Sequence, residues 1–512
     1  MAHITREQKN KNISDAISAT RKKRKSQMPL TFELGVRNEK RNQKTGCFHH
    51  LKMICVEAKW MKNNITSILN ADRDKSVFQM KDKDFKKVTH RDKDGNELVS
   101  ELKYLRSSLR KGVIEKYQKS ITSLAALKRN GHKIGRIKFE SEHKTVYFMQ
   151  YGITHYISGP NSIHIQGFNN DIRVSGLRQL RKLDELGIAY DLSTMDMHMV
   201  CDTCFKFFLT VWVDREEYLK YKNSRREKRR DTLRKKGVRT HSLNAYDLGS
   251  KVSATDAYGN QVDVTFEETP RLKRCQQRLA RQRRAAEKKD EKEGNKTRTI
   301  SVRQYDTRQR MKKEYYRISR RKDAAAIDFV TNALDQNDVV IIQDEQLNNW
   351  KRKKKRKNKQ GKVVKCKGCG RKIQHSILGR IKKRLVASSQ VHVIDKWVPT
   401  TKLCTHCGKM HRKIQLSDRT YICPQCGHND GDRDVHSARD MIWLYYFMPD
   451  KIGLDGSEFK RGDFDNSLAE IFSAENPCSY SFEDEQASRS QKDEELLSAN
   501  NNSTLDKEII EG

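Results

Sequence analysis

Three acidic residues stand where an apolar run of the chain gives way to polar sequence. Asp247 ends LNAYD, Glu345 ends VVIIQDE, and Asp434 directly precedes VHSARDMIWLYYF. The first two runs read as strands and the third as a helix, so three separate elements each deliver a carboxylate at a boundary with solvent. Taken singly, each acid reads as a turn or cap residue. Together they form the oxygen-donor set of a two-metal phosphodiesterase. Such ions lie about 3.5–4 Å apart, hold the scissile phosphate, generate hydroxide and stabilise the leaving oxygen. Mg2+ or Mn2+ suits open positions that keep water. NDGDRDVHS does not read as a calcium loop, because Gly431 falls too early and no Glu closes it.

The sulfur chemistry is of a different kind. Cys404, Cys407, Cys423 and Cys426 have the spacing C-x2-C-x15-C-x2-C. Four thiolates at that spacing close a tetrahedral shell around Zn2+, a structural and not a catalytic site. CKGCG supplies Cys366 and Cys369 without an evident second half. Cys201 and Cys204 would complete a second zinc site if the fold brings the pairs together. Cys47, His49, His50 and Cys55 are also close in sequence, but their irregular spacing favours ordinary core and polar residues.

Positioning these groups falls to a basic chain of 512 residues with net charge +39, long enough for two to four domains. The charge is uneven. Residues 450–512 hold 16 acids and 6 bases, a net of −10, which leaves +49 on the rest. A body that basic needs a polyanion, and nucleic acid ranks far ahead of an anionic membrane. No run of about 18 apolar residues reads as a transmembrane helix, and MAHITREQKNKN has no signal-peptide core. A cytoplasmic protein is expected, with cysteines serving metals and not disulfides.

The expected organisation runs as follows. Residues 1–30 form a basic, disordered N-terminus, and 31–222 a β-barrel module with a helical insert, the helices lying between Leu98 and Gly131. Residues 223–240 are a basic linker. Residues 241–397 carry the first two acids, 398–433 the zinc ribbon, 434–449 the third acid and its helix, and 450–512 an acidic disordered tail. Met311, Tyr315, Ile318, Ala325 and Phe329 mark the apolar stripe of a helix near 301–334. Its basic face (Arg320, Arg321, Lys322), the KRKKKRKNK loop (Lys351, Arg352, Lys353) and Arg380 are candidate nucleic-acid contacts.

AYDLG, QDEQLN and CPQCG…DRDVHSA resemble, in this order, the three motifs of the split RuvC nuclease of TnpB proteins and miniature type V CRISPR effectors. IQHSILGRIKKRL, VPTTKLCTHCGK and GHKIGRIKFES are similar to segments of the same family, and the QDE form looks most like the compact type V-F effectors. The resemblance covers about residues 100–447. It implies an α/β RNase H-like (RuvC) domain with an inserted zinc ribbon, preceded by a wedge β-barrel with a helical recognition lobe. It assigns Asp247, Glu345 (not Asp344) and Asp434 as the catalytic metal ligands. It implies a prokaryotic, RNA-guided DNA endonuclease in antiviral defence, with guide RNA and target DNA as partners, Mg2+ and structural Zn2+ as cofactors, and room for a homodimer on one guide. A transposon-encoded TnpB nuclease and a nuclease-inactive RNA-guided DNA binder are the alternatives, and a plain zinc-ribbon RNA-binding protein would leave the three acids unexplained. Ala245 stands where the family usually has Gly, His436 where it usually has Asn, and CKGCG looks like an insertion.

Overall fold

The computed structural model describes residues 6–72, 74–91, 96–135, 137–249, 252–294, 300–351, 355–357, 363–365, 370–411, 418–449 and 452. The chain divides into two compact units, residues 1–223 with 269–316 and residues 224–268 with 317–512.

The first unit contains helices α1 (Arg6–Lys25), α2 (Lys40–Lys44), α3 (Cys47–Ala71), α4 (Ser107–Arg129) and α5 (Arg178–Glu185). Its strands are β1 (Gln27–Val36), β2 (Lys87–Arg91), β3 (Glu97–Glu101), β4 (Thr145–Phe148), β5 (His155–Gly159), β6 (Ser162–Ile165), β7 (Ile172–Ser175), β8 (Tyr190–Cys201) and β9 (Cys204–Asp214). Helix α6 (Arg215–Lys235) leaves it for the second unit; α7 (Pro270–Glu293) and the start of α8 (Val302–Gln336) return to it. Seven strands form one antiparallel sheet in the order β4-β8-β9-β1-β7-β6-β5. Strand β9 shows why it is a strand. Phe205, Phe207, Leu209, Val211 and Val213 are all buried and alternate with half-buried neighbours, the period-two pattern of a sheet with one core face. Leu51, Ile54, Ala58, Met61 and Ile65 recur every three or four residues on α3 and join the same core, as do Leu109 and Val113 of α4. Helices pack on this sheet, and among the described residues no ladder joins β4 to β5 to close the expected barrel.

One expectation of disorder and one of a linker are corrected. Residues 6–25 are helical, and Lys23 bridges Asp191 at 2.8 Å while Arg24 lies 4.2 Å above the Trp212 ring. The basic linker falls largely inside α6, where Arg229 Nε meets Asp335 at 2.6 Å, Arg230 pairs with Asp338, and Arg226 donates to the Asn337 carbonyl at 3.1 Å. In both places acids distant in sequence neutralise charge that read locally as repulsion.

The second unit is built on five strands: β10 (His241–Asp247), β11 (Ala254–Asp256), β12 (Gln261–Val262), β13 (Asn337–Gln343) and, beyond the short hairpin β14 (Lys355–Lys357) and β15 (Val363–Lys365), β16 (Val391–Ile394). Their order is β12-β11-β10-β13-β16; β10, β13 and β16 are parallel, β11 and β12 antiparallel. The ribbon strands β17 (Thr420–Ile422) and β18 (Asn429–Asp432) pair separately. Helices α9 (Leu347–Lys351), α10 (Gly370–His375), α11 (Leu378–Leu385) and α12 (Arg433–Phe447) complete the unit. A parallel sheet is covered on both faces. Leu243, Ala245 and Ile341 pack against Ala438, Met441 and Ile442 of α12. Tyr246, Val340 and Ile342 face the other way, against Ala326 and Val330 of α8 and Leu378 and Ile381 of α11. Truncating the fully buried Ile341 to Ala would cost about 2–5 kcal/mol. The face of α8 differs from the expected stripe: Ala326, Val330 and Ala333 are buried, whereas Tyr315 is 48% exposed.

Candidate active site

Strands β10 and β13 run parallel with Tyr246 opposite Ile342, so they leave the sheet at the same edge. Asp247 is the last residue of β10. Beyond β13 the chain turns tightly: the Asp344 N–H donates to the Ile394 carbonyl at 2.9 Å and the Glu345 N–H to the Gln343 carbonyl at 2.8 Å. Asp434 sits in the first turn of α12, whose N-cap Asp432 accepts its N–H at 2.7 Å. The Asp434 carboxylate is buried and gripped from two sides, by Arg433 at 3.1 Å and Arg419 at 3.4 Å.

The electrostatics bring the three acids together. Burial pushes Asp247 up to about 7, and the negative charges of Asp434 and Glu345 add to it, with Arg433 opposing. Burial likewise pushes Glu345 up to about 7, against Lys382 and with help from Asp344. Asp344 itself is engaged by the Lys382 ammonium, which also donates to the Glu345 carbonyl at 2.8 Å. This is a pocket of negative charge with too few cations, and its donors are oxygens, the chemistry that suits Mg2+ or Mn2+. The three carboxylates are not all within 4.8 Å of one another, so they are spread wider than the donors of one compact ion site.

The four thiols of Cys404, Cys407, Cys423 and Cys426 do lie within 4.8 Å of one another. Two of their separations, Cys404 to Cys426 and Cys407 to Cys423, are 3.8 and 3.7 Å. A zinc ion bonded to four sulfurs at 2.3 Å sets them about 3.8 Å apart, so the cluster fits tetrahedral zinc. Each half is the same backbone knuckle. The Gly408 and Gly427 N–H groups donate to the Cys404 and Cys423 carbonyls at 2.8 and 2.9 Å, and both glycines adopt left-handed φ, 66° and 74°.

His436 fastens this ribbon to the helix that bears Asp434. Its ring is fully buried and stacks on Tyr421, centroids 3.3 Å apart. Nδ1 meets Asp430 at 2.6 Å and Nε2 meets the Leu403 carbonyl at 2.8 Å, which also accepts the Tyr421 hydroxyl at 3.0 Å. Burial alone would raise Asp430, but His436, His428 and Arg439 outweigh it and hold the carboxyl at about 2. His436 is therefore a fixed joint in this chain.

Other candidates separate. Cys201 and Cys204 face each other across the two-residue turn of the β8–β9 hairpin, and a hydrogen bond from Cys204 lowers the Cys201 thiol below the usual thiol range despite its burial. Cys366 and Cys369 lie outside the described residues, and among those residues no metal-ligand group forms around Cys201 and Cys204. Cys47 and Cys55 are buried and pushed up to about 12 by that burial, and no such group forms around them either. Lys322 is corrected from a nucleic-acid contact to a structural tie, and Arg380 is also tied within the fold. Lys322 is 8% exposed and donates to the Gln374 carbonyl at 2.6 Å, and Arg380 donates to the Ser319 carbonyl at 2.6 Å and pairs with Asp323 at 3.3 Å. Arg320 and Arg321 are exposed; Arg352, Lys353 and the Lys351 side chain lie outside the described residues. The positioning roles of Lys382, Arg419 and Arg433 were not foreseen, although Arg433 lies inside the DRD motif itself.

No helix among the described residues is long and apolar enough to cross a membrane. Residues 382–441 match the family model described as Cas12f1-like, TNB domain. A protein of Streptomyces pristinaespiralis described as "Putative RNA-guided DNA endonuclease" is 44% identical over 50 residues, 10% of this chain and only 12% of that relative's length. A solved Cas12f1–sgRNA–target DNA complex aligns over 78% of this chain and 82% of its own at 10% identity and a TM-score of 0.35, a likeness too low to bear on the fold. The segment that carries the four-cysteine cluster and Asp434 is therefore Cas12f1-like, the family whose motifs the sequence resembles.

Proposed function

We propose that this chain is an RNA-guided DNA endonuclease of the Cas12f and TnpB type, cutting through a single RuvC-like site formed by Asp247, Glu345 and Asp434. The observation that carries the reading is the placement of these acids. Asp247 ends one strand, Glu345 lies two residues past the end of the adjacent parallel strand, and Asp434 opens the helix packed on them, on a sheet whose strands run 3-2-1-4-5 in chain order with the second antiparallel to both its neighbours, the order of an RNase H-like domain. The lifting of Asp247 to about 7 by burial, Asp434 and Glu345, and of Glu345 to about 7 by burial and Asp344, supports it, because a site that crowds carboxylates in a basic chain is built for cations. The Cas12f1-like match over residues 382–441 supports it as well.

Asp247, Glu345 and Asp434 would hold Mg2+ or Mn2+, which when bound activates water and offsets the charge of the scissile phosphate. The chain's own residues prepare the site. Arg433 and Arg419 fix the Asp434 carboxylate, Lys382 holds Asp344 aside and pins the Glu345 backbone, and the zinc cluster with His436 holds the start of α12. The basic body gathers the polyanion. A guide RNA would supply sequence recognition by pairing with target DNA, and the protein would sense duplex shape and backbone.

The test is purification from the native locus and sequencing of the bound RNA. One discrete RNA with a constant scaffold is expected, its constant part mapping to a repeat array or to a transposon end. With that RNA and Mg2+, cleavage of matched DNA should fall at least about 1000-fold in Asp247→Asn with RNA binding retained. A smear of cellular RNA and no divalent-dependent cleavage would overturn the reading.

A further inference from the structure

We propose that Trp397 is a stacking platform for a nucleobase of the single strand entering the carboxylate site. The inference rests on the nuclease reading above and adds a binding group to it. Of the five tryptophans, four are buried or half-buried, whereas Trp397 is 66% exposed. A large apolar ring left in water forgoes the burial that usually places it, and a single exposed ring alone needs no explanation. Here the mounting does.

Trp397 lies three residues past the end of β16, and Ile394 at that end pairs with Gln343, two residues before Glu345. The loop therefore leaves the sheet at the same edge as the acids. It is also rigidly held. The buried Gln343 amide donates to the Asp395 carbonyl at 3.1 Å and to the Val398 carbonyl at 2.6 Å, one on each side of Trp397. The Trp397 N–H donates to the Asp395 carboxylate at 2.8 Å, and Val398 is buried. Thr400 reaches both the Gln343 amide oxygen at 3.3 Å and Ser437 of α12 at 2.9 Å, three residues after Asp434. One side chain thus ties the loop to the strand that precedes Glu345, and another ties it to the helix of Asp434. The tip between these ties presents an exposed ring with the Lys396 ammonium over it, 5.5 Å from its centroid. An aromatic face beside a cation is what holds an unpaired nucleotide, since every base has a π-face and every linkage a phosphate.

The experiment uses the full chain with its co-purified RNA. A matched DNA carrying 5-iodouracil in the strand to be cut is irradiated, and the cross-linked peptide is identified by mass spectrometry. A cross-link to Trp397 is expected, lost in Trp397→Ala and kept in Trp397→Phe. In parallel, Trp397→Ala should raise KM for cleavage about tenfold with melting temperature unchanged, and Trp397→Phe should restore most of it. Cross-links confined to other peptides, with KM unmoved while cleavage persists, would remove the stacking site and leave the nuclease. A cross-link at Trp397 without divalent-dependent cleavage would keep the stacking site and remove the nuclease.

Discussion

At the scale of single residues the carboxylates titrate where enzymes work. Free Asp and Glu lose their protons near 4, whereas burial holds Asp247 and Glu345 near 7, with Asp434 and Glu345 adding at Asp247 and Asp344 adding at Glu345. Folding therefore takes up protons between those values. The stability this lends is complete below about pH 4 and is lost as the pH rises to 7. In Mg2+-free buffer that leaves zinc in place, the melting temperature of the second unit should fall between pH 5 and 8. Asp247→Asn should flatten that slope, and Mg2+ at pH 8 should restore stability by occupying the site. A melting temperature that stays constant across this range in the unsubstituted chain would refute the shared-charge account.

At the scale of elements the central joint is between the ribbon and α12. His436→Ala leaves Asp430 and the Leu403 carbonyl without their buried partner, a loss of about 3 kcal/mol. His436→Asn should lose less, since an amide can still donate. Differential scanning of both variants, with zinc content and cleavage measured alongside, is expected to rank them in that order, with zinc retained. Equal melting temperatures for all three proteins would mean the joint is passive. The elements nearest the chemistry were legible in sequence: β10 and β13 as apolar runs ending in acids, α12 by its period, the ribbon by its cysteine spacing. The misreadings share a cause. The charge of α1 read as disorder and that of α6 as a linker because Asp191, Asp335 and Asp338, which neutralise it, are remote in sequence. The face of α8 was misplaced because the sheet accepts the small Ala326 and Ala333 where periodicity favoured the larger Tyr315. The hold of Gln343 on the loop at 395–398 spans more than 50 residues and leaves no local pattern at all.

At the scale of the whole molecule, charge dominates. A body of +49 beside a −10 tail predicts binding driven by release of counterions. Raising monovalent salt from 50 to 200 mM should weaken affinity for a nonspecific oligonucleotide by about 1000-fold, read by fluorescence anisotropy. The complex with the cognate RNA should share that slope while remaining tighter at every salt concentration. Affinity that does not change with salt would place the binding energy elsewhere than in phosphate contacts.

The amide nitrogen of Gln343 grips main-chain carbonyls on either side of residues 396 and 397 and none of their side chains. What it anchors is thus indifferent to the identity of residues 396 and 397. Such an arrangement separates scaffold from tip: selection, natural or in the laboratory, can exchange the half-buried Lys396 and the exposed Trp397 without renegotiating the core beneath them. The loop is in that sense a socket, and its occupant is the part of this site most open to change.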